Sequence, residues 1–145
     1  MKKPGSRMTF GIGLLAGAVG VSVLGAQQPP SAKRTILLKK DMQIPGREAV
    51  MILSELPPGA AEGRHTHPAE VFVYVLEGSV SYEEDGKAAA THKAGDAFAI
   101  EPGKIHDGKN LGTTPQKAIV FFVAEKGKPL RTDVQYRRRP EWRAS

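Results

Sequence analysis

From Thr35 onward the chain never sustains a helical period. Its apolar residues fall in short runs, each closed by a turn-forming residue, and that punctuation admits strands and excludes long helices. The runs predict strands at Thr35 to Leu38, Ala49 to Leu56, Arg64 to His67, Val71 to Leu76, Val80 to Glu83, Ala88 to His92, Ala97 to Ile100, Lys104 to Asp107 and Ala118 to Ala124. Between them stand Pro57-Pro58-Gly59, the tight-hairpin pair Asp85-Gly86, the loop Lys93 to Asp96, and Pro102-Gly103. Every residue from Val71 to Leu76 is apolar, so a central strand covered on both faces is expected. The whole reads as an all-β, nearly closed antiparallel barrel.

With 145 residues the chain holds one domain and its tails. The first 26 residues have the layout of a secretory leader. Lys2, Lys3 and Arg7 precede an uncharged stretch, Met8 to Ala26, and small residues stand before Gln27. Cleavage near Ala26 would place the protein in the periplasm or outside the cell by the general secretory route. Without cleavage the segment would anchor it to the membrane. Neither a cysteine for lipidation nor a paired arginine for the twin-arginine route is present.

The formal charge of +6 suggests an anionic partner until it is located along the chain. Three positive charges belong to the leader, residues 126–145 carry +5, and the body from 27 to 125 is −2. A nucleic-acid surface would need Lys and Arg gathered on a folded face or a recognition helix, and the body, with 11 Lys and Arg against 13 Asp and Glu, offers neither. Residues 27–34 form an N-terminal arm, 35–125 the barrel, and 126–145 a basic tail ending in Arg137-Arg138-Arg139. Both arms are free to wrap the body, pair with another subunit or stay loose. The absence of cysteine excludes thiol catalysis and Cys-ligated metal.

Three of the four histidines form a pattern. His65 and His67 are two apart in an expected strand and project from one face, as two imidazoles must to reach one metal ion. His106 follows Pro102-Gly103 on another strand, whereas His92 has no such companion. Gly59 to Gly78, GAAEGRHTHPAEVFVYVLEG, resembles the first motif of the cupin family: a Gly, five residues, His-x-His, a Glu shortly after, and a closing Gly. Gly95 to Asn110, GDAFAIEPGKIHDGKN, resembles the second. The chain is identified as a member of that superfamily and is similar to small exported bacterial single-domain cupins of type 2.

The resemblance implies a double-stranded β-helix, or jelly-roll, barrel with His65, His67 and His106 at the three histidine positions of a metal site. The family's glutamate stands four residues after the second histidine, a place held here by Val71. Glu70 stands one residue early, where strand alternation points it away unless the Pro68-Ala69 turn compensates. It is retained as a candidate fourth ligand. Gly59, Gly78, Gly95, Pro102, Gly103 and Asn110 keep the motif's turn positions.

A three-histidine site leaves positions open for water or substrate and takes a divalent transition metal, with Fe, Zn, Ni, Cu and Mn all permitted. Val71, Val73 and Val75, and Lys104 by its parity with His106, are expected to line the site. Glu70, Glu101 and Tyr74 are the nearest acid–base candidates, although Tyr74 has outward parity. The implied function is dioxygenase- or isomerase-type chemistry on a small organic molecule. The alternatives are a metal-free binding protein and a scaffold whose arginine tail docks on an anionic surface. A homodimer is expected, with the membrane reached only through an uncleaved leader.

Overall fold

The computed structural model describes residues 30–135. The leader expected at 1–26 and the three consecutive arginines of the tail lie outside the described residues. Ten strands account for the regular structure: β1 (Lys33–Asp41), β2 (Arg47–Leu56), β3 (His65–Thr66), β4 (Glu70–Glu77), β5 (Ser79–Glu84), β6 (Ala90–Lys93), β7 (Ala97–Ile100), β8 (His106–Lys109), β9 (Gln116–Glu125) and β10 (Thr132–Asp133). They form two five-stranded antiparallel sheets, in the orders β1-β2-β9-β4-β7 and β10-β3-β8-β5-β6. This is the all-β, double-stranded β-helix architecture that the sequence implies. Among the described residues no helix is long and apolar enough to cross a membrane.

The core follows from strand alternation. Inward positions Val50 and Ile52 on β2, Val71 and Val73 on β4, Ile100 on β7, and Ala118, Phe122 and Ala124 on β9 form one apolar cluster between the sheets. Tyr82, Phe98, Val120 and Leu130 pack against it.

The expectation that Val71 to Leu76 is covered on both faces is corrected. Val71, Val73 and Val75 are buried, but Phe72, Tyr74 and Leu76 are 46%, 48% and 42% exposed. An unbroken apolar run can mean a sheet whose outer face is also apolar, and here it does. Phe72 stands opposite Phe121 on β9 and Ala99 on β7, and Tyr74 opposite Ile119 and Ala97. The outer face therefore carries apolar rows running across strands.

Two turns shift the expected boundaries. The Pro102-Gly103 turn extends through Lys104, whose N–H donates to the Glu101 carbonyl at 3.4 Å, so β8 begins at His106 and not at Lys104. The segment after β9 does not end the fold. It returns across the barrel, and β10 pairs Thr132 with Thr66 and Asp133 with His65. Two residues are too few to show a periodicity, so nothing in the sequence marks this strand.

Gly78 closes the turn after β4 with φ of +68°, and a Cβ there would lie 2.7 Å from the Pro115 carbonyl oxygen. Asn110, 1% exposed, binds the approaching loops: its amide donates to the carbonyls of Leu56 (2.9 Å) and Thr114 (2.8 Å), and its Oδ1 accepts from the Gly112 N–H.

Candidate metal centre

His65 and His106 are direct cross-strand partners on β3 and β8. His67, two residues beyond His65, keeps the same parity and is pinned where its own carbonyl accepts the Gly103 N–H at 2.8 Å. All three rings are buried, with centroids 4.2 to 5.0 Å apart. One nitrogen from each lies within 4.8 Å of the others.

The opposite nitrogens are all anchored to backbone. His65 Nδ1 is bonded to the Gly63 carbonyl at 2.5 Å, His67 Nδ1 to the Leu130 carbonyl at 2.6 Å, and His106 Nδ1 to the Lys104 carbonyl at 2.9 Å. A carbonyl only accepts, so each Nδ1 carries the hydrogen and each Nε2 presents a lone pair. His65 Nε2 and His67 Nε2 face each other at 3.1 Å. Neither has a proton to share, so the pair is repulsive unless a cation stands between the lone pairs. Two nitrogens each about 2.1 Å from a common metal are separated by about this distance.

Burial also keeps the rings unprotonated. It holds His65 down to about 3 and His67 to about 4, and it lowers His106 as well, so all three are neutral ligands at physiological pH. The donor set fits a transition metal with imidazole preference, and the carbonyl anchors fix the rings as ligand-orienting contacts do in metalloproteins.

The triad opens into a cavity of about 200 Å3 between the sheets. Its walls are mostly apolar, including Ile52, Val73, Phe98, Ile100, Val120 and Phe122. Tyr82 adds a phenol that donates to Glu84 Oε2 at 3.1 Å, with its ring 5.6 Å from His106. Burial raises the Tyr82 pKa, with the bond to Glu84 adding to the effect, so the phenol keeps its proton.

The other predicted residues are distributed as follows. Val73 lines the cavity, whereas Val71 and Val75 are fully buried in the packing behind it and do not. Lys104 is exposed and outside the cavity, because it belongs to the turn before β8. Glu70 opens β4 on its outward face, exposed and opposite Val123, and the cluster of potential ligands comprises the three histidines without it. Glu101 and Tyr74 are likewise exposed. Gly59, Gly95 and Gly103 have positive φ, as their turns require, and Pro102 stands in the turn before Gly103.

Sequence reasoning missed the cavity's polar end. Glu62 lies there, its Oε1 accepting from Ser54 Oγ at 2.8 Å, with Arg34 from β1 and Arg131 from the returning segment beside it. Glu62 was discoverable as the one acidic residue in the loop leading to His65. Nothing in the sequence pattern brings Arg34 and Arg131 together.

A two-sheet β-helix holding three converging imidazoles over an open-mouthed interior cavity defines the class: a barrel scaffold with an interior ligand site. The cupin domain family matches residues 52–122, and the chain belongs to the cupin superfamily. Solved structures agree on the fold. An uncharacterized protein with a double-stranded β-helix domain from Klebsiella pneumoniae aligns with a TM-score of 0.58 and 23% identity, covering 70% of this chain and 83% of that one. An oxalate oxidase gives 0.60 and 22% identity over 74% of this chain and 57% of its own. The DMSP lyase of Ruegeria pomeroyi gives 0.54 and 20% identity over 59% and 42%. The chain thus spans less than two thirds of either enzyme. A sequence comparison with curated proteins gives no match.

Proposed function

We propose that the protein is a metal-dependent cupin that binds one divalent transition metal through Nε2 of His65, His67 and His106 and acts on a small organic molecule held in the barrel. The observation that carries this reading is the set of three carbonyl-anchored Nδ1 atoms, which turns three lone pairs toward one point. When bound, the metal would supply Lewis-acid or oxygen-activating chemistry. The chain's own part is to hold the rings in one tautomer, exclude bulk water with apolar walls, and pack the Tyr82 ring against His106. The cavity lies below the roughly 300 to 1,000 Å3 of sites for drug-sized ligands, which favours a small occupant. The neighbouring oxalate oxidase and DMSP lyase act on small molecules, which supports the same scale of substrate.

The test is metal content per chain by mass spectrometry on protein purified without a histidine tag. The parent should hold close to one equivalent, His65→Ala should hold none, and Glu70→Ala should match the parent. A parent with no metal above background would end the metal reading and leave the metal-free binding protein.

Export by the general secretory route and homodimerisation belong to the same proposal. The leader-like residues 1–26 support export. The exposed apolar face of Phe72, Tyr74 and Leu76, continued across β9 and β7, supports a second copy packed against it.

A further inference from the structure

The polar end of the cavity contains more positive than negative charge. Arg34 pairs with Glu62 Oε2 from one side. Arg131 approaches from the other, with Nη1 3.5 Å from the same oxygen and Nη2 donating to the Glu62 carbonyl at 2.7 Å. Two guanidinium groups thus share a single cavity-lining carboxylate, and the buried histidines are neutral. Asp133 accepts from Arg131 Nε at 2.6 Å, but its side chain is 71% exposed and outside the cavity lining, where solvent screens it.

The hydrogen-bonding count at this end is also incomplete. Arg131 Nη1 is buried with no hydrogen-bond partner, and so is Oε1 of Gln116, a cavity-lining residue only 1% exposed. An orphaned guanidinium donor is costly unless an acceptor meets it. Glu62 Oε2, already paired with Arg34, meets Nη1 only as an ion pair at 3.5 Å and makes no hydrogen bond to it. The position is fixed relative to the triad: the Glu62 N–H donates to the Gly108 carbonyl at 2.8 Å, two residues along β8 from His106 and hence about 7 Å away along the strand. Apolar side chains line the space between the two ends.

We propose that the cavity selects a short-chain carboxylate, whose carboxylate group is held by Arg34 and Arg131 and whose apolar body extends toward the three histidines. The inference rests on the small-molecule reading above and names the substrate class. The planar fork of a guanidinium matches a carboxylate, and withdrawal from water makes the charge-assisted bond selective against a neutral isostere. Gln116 provides a further polar contact for any hydroxyl or amine that the ligand carries.

Butyrate and butyramide have the same size and differ in charge, so they serve as probes. Each is titrated into metal-stripped protein, with binding followed by calorimetry and by amide shifts. Butyrate should bind at least about tenfold more tightly than butyramide, and more tightly than acetate or inorganic phosphate, which cannot use the apolar walls. Arg34→Gln, at the half-exposed rim, and Arg131→Gln should each weaken butyrate about tenfold or more. Glu62→Gln should strengthen it, because the competing internal carboxylate is removed. A role confined to folding would not produce that gain.

Equal binding of butyrate and butyramide would overturn the proposal, as would phosphate binding as tightly as butyrate, or butyrate binding that needs added metal and ignores both arginine variants. Because the titration uses metal-stripped protein, loss of the metal reading leaves this result intact. Thermal unfolding of each variant separates loss of binding from loss of fold, and Arg34→Gln remains decisive if Arg131→Gln does not fold.

Discussion

Deleting residues 129–145 is expected to weaken the metal site although it removes no ligand. The returning segment supplies the Leu130 carbonyl that fixes His67 Nδ1, the Arg131 bond to the Glu62 carbonyl, the Val134 N–H bond to the Arg64 carbonyl at 2.9 Å, and the β10 pairing with β3. Hydrogen bonds contribute about 1 kcal/mol each, and half-buried Leu130 adds about another from its packing on the core, so the deletion should cost roughly 3–5 kcal/mol of stability. Loss of an orienting partner costs a metal site about 10- to 100-fold in affinity, because the freed ring can rotate its donor away. Deleting residues 136–145 removes the three consecutive arginines and keeps every one of these contacts. It should leave both quantities at parental values. The assay is competition for zinc or cobalt against a chelator of known affinity, paired with urea unfolding of the metal-stripped forms. If the longer deletion binds metal within threefold of the shorter one, the Leu130 carbonyl does not orient His67 and the reasoning fails.

Three further outcomes are expected. Gly78→Ala should destabilise the fold by about 1–3 kcal/mol in urea unfolding, since it combines a φ of +68° with a Cβ placed 2.7 Å from the Pro115 oxygen; an unchanged midpoint would contradict the turn geometry. Metal-stripped protein should lose stability as pH falls from about 6.5 toward 4. Burial depresses His65 to about 3 and His67 to about 4, so over that interval the unfolded chain binds more protons than the folded one, and the loss is roughly 1 kcal/mol per pH unit for the pair after solvent screening. Stability is then fully present above 6.5, and a flat profile between pH 7 and 5 would show the rings to be solvated. Phe72→Glu should convert a dimer to a monomer in sedimentation analysis while leaving metal content intact, because Phe72 is 46% exposed and points away from the cavity; a parent that already sediments as a monomer at high concentration would remove the interface.

Strand positions, turn chemistry and the histidine pattern were legible in the sequence because each is local. Alternation places His65 and His67 on one face whatever the remainder of the fold does, and Pro102-Gly103 sets the turn that delivers His106. Exposure was not legible. In β4 the residues Phe72, Tyr74 and Leu76 look like core by composition, and only the sheet order, which leaves their face without a covering layer among the described residues, makes them surface. Lys104 shows the same limit on a smaller scale: its parity with His106 held no information once the turn extended through it.

By itself, the sequence determined an all-β barrel and the three imidazoles that could share a metal, because side-chain periodicity and turn residues act over a few positions. Only the tertiary structure decided that the basic tail, which the sequence leaves free to wrap the body, pair with another subunit or stay loose, returns to the site through Leu130 and Arg131. It also decided that Leu130 orients His67 and that Arg34, Glu62 and Arg131 meet at one end of the cavity. Those contacts join residues far apart in the chain, and no local pattern encodes such a meeting. It is produced by the sheet order that carries β1 and β10 to the same mouth of the barrel.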